Sequence, residues 1–267
     1  MNSLSYRGIT IKSIVGVIVA LYFAITNLLS GDLFLGFLYH GSFFTMFFLG
    51  ILVSIVLAMI WFAISRFLLT SKNEILNLIV FLFGAFLIGS FLGNTLILAV
   101  MFAAYYSQGA IDIETVYSAL QIATMATFIA VFAGIFVLPK VKLQQRSVKF
   151  IQNFMLFIIA IGFITGILYL VGLFFAIFGF DGLLLMLNQL FFGIGPISIF
   201  FSILFVIFAE LMFVQTISIV KYAVESKEQD KSKEYFYSLM VTGAVVRIYG
   251  EIFKLVIKLL ANSNRRR

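Results

Sequence analysis

Four charged side chains sit inside one apolar run of this chain. Arg247, Glu251, Lys254 and Lys258 interrupt the otherwise hydrophobic stretch from Phe236 to Leu260. At 100° per residue they project at about 0°, 40°, 340° and 20° around a helix, which makes one narrow polar stripe. A second acid, Glu210, lies near the middle of the apolar run from Ile197 to Val220, with Gln215 and Thr216 further along it. A carboxylate in such a run is protonated or matched to a base, because an isolated buried charge is too costly to keep. Arg247 and Lys254 are its natural partners. Two readings of Glu210 stand side by side: a buried structural ion pair, or a group that handles protons or cations together with Glu251, since intramembrane acids commonly mark ion pathways.

Other chemistry is absent from the sequence. There is no cysteine, so disulfides, thiolate metal sites and cysteine nucleophiles are excluded, and the single histidine, His40, cannot build a histidine-rich metal site. No His-Glu-x-x-His, Gly-x-Ser-x-Gly or phosphate-cradling glycine loop occurs, so no catalytic residue, metal centre or cofactor is expected and the chain reads as a non-enzyme. Gly193-Ile194-Gly195-Pro196 is a helix break, where glycine freedom and a missing amide donor interrupt or start a helix. A secondary transporter would show paired broken helices in two repeated halves, and none are visible.

The elements that position these residues are set by composition and charge. Apolar residues make up 63% of the 267, phenylalanine occurs 34 times, and charged residues amount to 11%, far from the profile of a water-soluble domain. Lysine and arginine alternate along the chain. Basic connections at 1–12 (Arg7, Lys12), 66–74 (Arg66, Lys72), 140–149 (Lys140, Lys142, Arg146, Lys149) and 221–235 (Lys221, Lys227, Lys231, Lys233) are separated by base-free ones near Asp32, Asp112 and Asp181. That is the positive-inside pattern, and it places the N-terminus in the cytoplasm. The net charge of +7 then reports orientation and contact with anionic lipid head groups, and no nucleic-acid partner is expected.

The expected fold is an all-α polytopic membrane protein, one domain over 1–267: a bundle of seven hydrophobic helices near 10–30, 43–65, 75–98, 116–138, 150–178, 197–220 and 236–260. Six are clear spans and the last is a polar, centrally packed helix. The first run is read as a retained helix and not a cleaved signal, because no small-residue cleavage site follows it. In the third, Gly89 and Gly93 give the small-xxx-small spacing of close helix packing; a local break beside Asn94 and Thr95, lining a polar cavity, is the alternative. For the last helix the alternative is an amphipathic segment lying at the interface with snorkelling lysines. A full seventh crossing would put Arg265, Arg266 and Arg267 on the outside, against the charge rule, so the side of the tail stays open.

Seven segments, a basic loop between the fourth and fifth, and a last helix reading Tyr249-Gly-Glu251-Ile-Phe-Lys-Leu-Val-Ile-Lys-Leu-Leu260 resemble the Bax inhibitor-1 family, also called the transmembrane BAX inhibitor motif family. The likeness covers the whole chain in topology and is confined to the last two helices at residue level. It implies a central helix wrapped by six others and a pH-sensitive calcium leak. In that family an aspartate on the seventh helix pairs with one on the sixth. Glu251 matches the first, and Gln215, within Leu211-Met-Phe-Val-Gln215-Thr-Ile-Ser-Ile219, matches the second; a shifted register brings Glu210 near that position but fits the distance to Lys221 less well. Arg66 matches the arginine that latches onto the dyad. Here one carboxylate and a glutamine replace two carboxylates, which weakens both calcium binding and proton sharing.

Two functions follow from the resemblance. The first is a pH-gated cation leak, conducting calcium or protons, with Glu251 as gate, Gln215 and Glu210 along the path, and Arg66, Arg247 or Lys254 as counter-ion or latch. The second is a non-conducting protein of the same fold that regulates membrane proteases, stress responses or lipid homeostasis through membrane-protein partners. The phenylalanine-rich, lysine-over-arginine composition points to a bacterial plasma membrane.

Overall fold

The structure, a computed structural model, describes residues 4–29, 73–108, 111–136, 164, 167–168, 171–172, 182–225 and 233–265. Among them every regular element is an α-helix: α1 (Tyr6–Leu29), α2 (Glu74–Tyr106), α3 (Ile113–Phe136), α4 (Gly182–Phe192), α5 (Pro196–Glu225) and α6 (Lys233–Arg265). Four of them, α1, α2, α3 over Ile113–Phe132 and α5, are long and apolar enough to cross a membrane, so the chain is an all-helical, multi-pass membrane protein. With 11 residues α4 is too short to cross.

Six helices stand among the described residues where the sequence suggests seven. The expected second helix, 43–65, lies outside the described residues, as does the expected fifth, 150–178, except for five helical positions. Residues 182–192, counted in no helix from the sequence, form α4. The break that follows is where Gly193, Gly195 and Pro196 place it.

The described helices run past their expected limits because polar residues cap them. Ser5 accepts the Gly8 amide at 3.0 Å ahead of α1, and Asn73 accepts the Ile75 and Leu76 amides at 3.0 and 3.3 Å ahead of α2. Asp112 takes the Thr115 amide and hydroxyl at 2.8 and 2.6 Å ahead of α3. Each satisfies amides that a helix start leaves without a partner. The third crossing is expected to end near 98 with apolar sequence continuing to Tyr106, and α2 is unbroken from Glu74 to Tyr106. The close-packing reading of Gly89 and Gly93 therefore holds, and no break opens beside Asn94.

The chain groups into two compact units, Met1–Leu98 with Gln215–Gly250, and Ala99–Val214 with Glu251–Arg267. In the first, α1, α2 and the opening half of α6 run parallel. Gly16 meets Phe81, Ala20 meets Gly89, and Asn27 donates to Asn94 at 3.1 Å; on α6, Glu234 faces Ser5, and Thr242 faces Gly16. The backbones approach so closely that a Cβ on Gly89 would lie 2.8 Å from the Ala20 Cα, and one on Gly93 2.9 Å from the Asn27 Cβ. Ala20 and Ala24 are fully buried in the seam. Without a hydrophobic drive between helices in lipid, such contact is a main source of association.

Hydroxyls line the α1–α6 seam. Ser13, Ser238 and Thr242 each donate to the carbonyl four residues back on their own helix, at 2.8, 2.6 and 2.8 Å. Each also reaches a carbonyl of the other helix, at 3.4, 3.1 and 3.4 Å. At the end of the seam the buried Glu234 accepts from the Ser5 amide and hydroxyl, both at 3.1 Å, and from Lys12. The Lys12 ammonium also lies 4.4 Å from the centre of the Tyr235 ring.

Two outcomes follow. Gly89→Leu should lower stability by about 2 kcal/mol or more through overlap with the α1 backbone, whereas Gly243→Ala, whose new Cβ meets nothing nearer than 3.8 Å, should be neutral or stabilise by up to about 1 kcal/mol; thermal unfolding in detergent reads both. Burial pushes the Glu234 carboxyl up, but Lys12 and Ser5 outweigh it and hold the group below its ordinary value. Its stabilisation is therefore complete above the unfolded-state value and is lost as pH falls through the folded one. The Asp112 carboxyl, lowered by the Thr115 hydroxyl and amide, acts in the same sense. The unfolding midpoint should fall on acidification below about pH 4.5, and Glu234→Gln should flatten that fall.

Candidate functional site

The polar residues of the second unit are carried by α3, α4, the first part of α5 and the end of α6. Here α4 and α5 pack as a helical hairpin around the glycine break, the Phe191 ring lying 5.3 Å from Phe201 and 6.5 Å from Phe205. Asn264 at the end of α6 donates to the Thr115 hydroxyl in the first turn of α3 at 3.2 Å.

Along α6 the charged stripe changes character. Arg247 is exposed and Lys258 is buried. Between them Glu251 and Lys254 form an ion pair at 2.7 Å, with side chains 15% and 28% exposed. The carboxylate expected to titrate as the gate is thus matched by a base on its own helix. Glu251 and Lys254 are brought together as counter-ions, and neither turns to Glu210.

Lys258 is a fully built polar position of the second unit. At 5% exposure its ammonium donates to the Phe191 carbonyl at 2.5 Å and to the Ser198 and Ser202 hydroxyls at 2.8 Å each. These are the penultimate carbonyl of α4 and two hydroxyls one turn apart at the start of α5, so three N–H donors meet three acceptors. Ser202 passes its own proton to the Ser198 carbonyl at 3.0 Å, which fixes it as an acceptor towards the lysine. Sequence reasoning placed Lys258 on the stripe and missed its site. The signal was present in Ser198 and Ser202, the i, i+4 hydroxyls that open the next helix directly after the break.

Glu210 contrasts with Lys258. It lies 14 residues from Pro196 and 15 from Glu225, at the centre of α5. Partly buried, it has no hydrogen bond or ion pair among the described residues. Lys254, one of its two expected partners, is held by Glu251. Gln215 is exposed on α5, and Arg66 lies outside the described residues. Among the described residues no three His, Cys, Asp or Glu side chains converge on a point that could hold a metal ion.

No family model, no curated protein and no solved structure matches this chain.

The Glu251–Lys254 pair makes a measurable claim. Glu251→Gln and Lys254→Met should each destabilise by about 1–3 kcal/mol, because each leaves a partly buried charge or amide facing the wrong partner. The double variant should recover most of the loss, giving a coupling of about 1 kcal/mol in a double-mutant cycle of unfolding midpoints. Additive losses would mean that the two side chains do not act as a pair.

Proposed function

We propose that this protein lets a small cation, protons foremost, leak across the bilayer, with Glu210 as the group that takes up and releases the ion. The observation that carries this reading is a carboxylate without a partner among the described residues, at the centre of a 30-residue apolar helix. Such a residue is expensive in hydrocarbon and marks an ion pathway by default. A lone carboxylate can bind a proton unaided. Calcium instead takes roughly six to eight oxygen ligands, and no acidic cluster among the described residues offers them. The gating role expected of Glu251 passes to Glu210, because the Glu251 carboxylate is engaged by Lys254 on its own helix.

The bundle of seven helices, six of them spans, the cytoplasmic N-terminus and the likeness to the Bax inhibitor-1 family belong to the same proposal. The parallel course of α1 and α2 suits the crossing expected between them, and alternation of basic loops supports the orientation. A second reading, a non-conducting protein acting through membrane partners, draws on α6 itself: its Glu251–Lys254 pair and the three bonds of Lys258 are what charges locked in a structural role look like.

The test is ion flux into proteoliposomes loaded with a pH-sensitive or a calcium-sensitive dye, comparing wild type, Glu210→Gln and Glu251→Gln. A proton leak that Glu210→Gln abolishes and Glu251→Gln leaves in place is the expected result. A calcium leak lost in Glu251→Gln would return the gate to α6. No flux of either ion in the wild type would favour the non-conducting reading.

A further inference from the structure

With 33 residues α6 is as long as α2, yet it carries Arg247, Glu251, Lys254 and Lys258 and is not among the four described helices apolar enough to cross a membrane by composition. Its course is set by its neighbours. The Ser5 hydroxyl donates to Glu234, the Ser238 hydroxyl to the Ile9 carbonyl and the Thr242 hydroxyl to the Ser13 carbonyl, and each of these bonds joins residues 229 apart. A constant offset over steps of about one turn means two helices side by side that point the same way. The partner in this register, α1, is long and apolar enough to cross.

The other end of α6 has its own anchor, the bond from Asn264 to the Thr115 hydroxyl in the first turn of α3. A short connection joins the end of α2 at Tyr106 to the start of α3 at Ile113. Because α2 runs parallel to α1 and is itself long and apolar enough to cross, the start of α3 belongs to the face opposite the start of α1. We propose that α6 is a complete seventh crossing, from the face of Ser5 to the face of Thr115, and that the end of the chain lies across the membrane from its beginning. At about 1.5 Å per residue α6 measures roughly 50 Å, against about 30 Å of hydrocarbon. Protein shelters it, since Ile248, Tyr249, Phe253, Ile257 and Ala261 are fully buried. Arg247, Glu251 and Lys254 then lie within about 8 Å of the helix midpoint, and Glu210 holds the same mid-helix place on α5. The crossing sets Arg265 on the face of the base-free connection at Asp112, so bonds at both ends of α6 fix a direction that the charge rule alone would reverse.

The absence of cysteine from the chain lets single cysteines report sidedness. Tyr6→Cys at the start of α1, Ile113→Cys at the start of α3 and Ser263→Cys near the end of α6 all fall at exposed positions. Each is made in the full-length protein and treated with a charged, membrane-impermeant maleimide in intact expressing cells, then again after permeabilisation. Positions 113 and 263 should share one pattern and position 6 should show the opposite one, whichever face is outward, with the loss of labelling on the protected side restored by permeabilisation. Labelling of 263 from the side of 6 overturns the crossing and makes α6 a re-entrant or interfacial helix. A shared pattern at 6 and 113 overturns it as well, because α2 then does not carry the chain across. If a cysteine variant does not accumulate, protease access to an epitope tag placed after Arg267 reads the side of the C-terminus with the same two outcomes.

Discussion

Hydrocarbon offers no hydrogen bonds, so a polar group that this chain carries into the membrane is costly unless it finds a partner in protein. The arrangement of the first unit follows from that demand. Ser13, Ser238 and Thr242 bond first to their own helices and only secondarily across the seam, so no hydroxyl depends on a neighbour for its basic satisfaction. Such bonds can reach across because the helices approach at glycine and alanine. Larger residues at Gly16, Ala20 or Gly89 would hold the backbones apart, and the longer contacts of 3.1–3.4 Å would be lost with the packing. Small residues and hydroxyls thus form one device. The buried Glu234 closes it at the end, where Ser5 and Lys12 supply three donors to a group that desolvation would otherwise neutralise.

Much of this was legible in the sequence, and the part that was not has a common cause. Spacing is visible in one dimension, so the glycine pair on α2, the break before Pro196 and the single-faced stripe of α6 were all read correctly as patterns. Partners distant in sequence are not visible. Glu234 and Lys12 lie 222 residues apart, and no periodicity links them. The engagement of Lys254 has a related cause. A search for a counter-charge to Glu210 offers Lys254, but Lys254 is held by Glu251 three residues back on its own helix, a local pair that needs no tertiary contact. Lys258 was overlooked because its acceptors are neutral. A counter-charge search is blind to two hydroxyls and a helix-end carbonyl, although together they match an ammonium donor for donor.

Burial rises along the stripe of α6, from exposed Arg247 through the half-buried pair of Glu251 and Lys254 to buried Lys258, and the chemistry of each position follows its depth. Midway, a charge can be kept only beside its opposite. At the buried end the lysine is held by three uncharged acceptors. A helix of uniform surroundings would not grade in this way. The gradation also separates two kinds of work. A charge whose every donor is engaged differs in kind from a carboxylate without a partner among the described residues, and α6 carries the first while α5 carries the second.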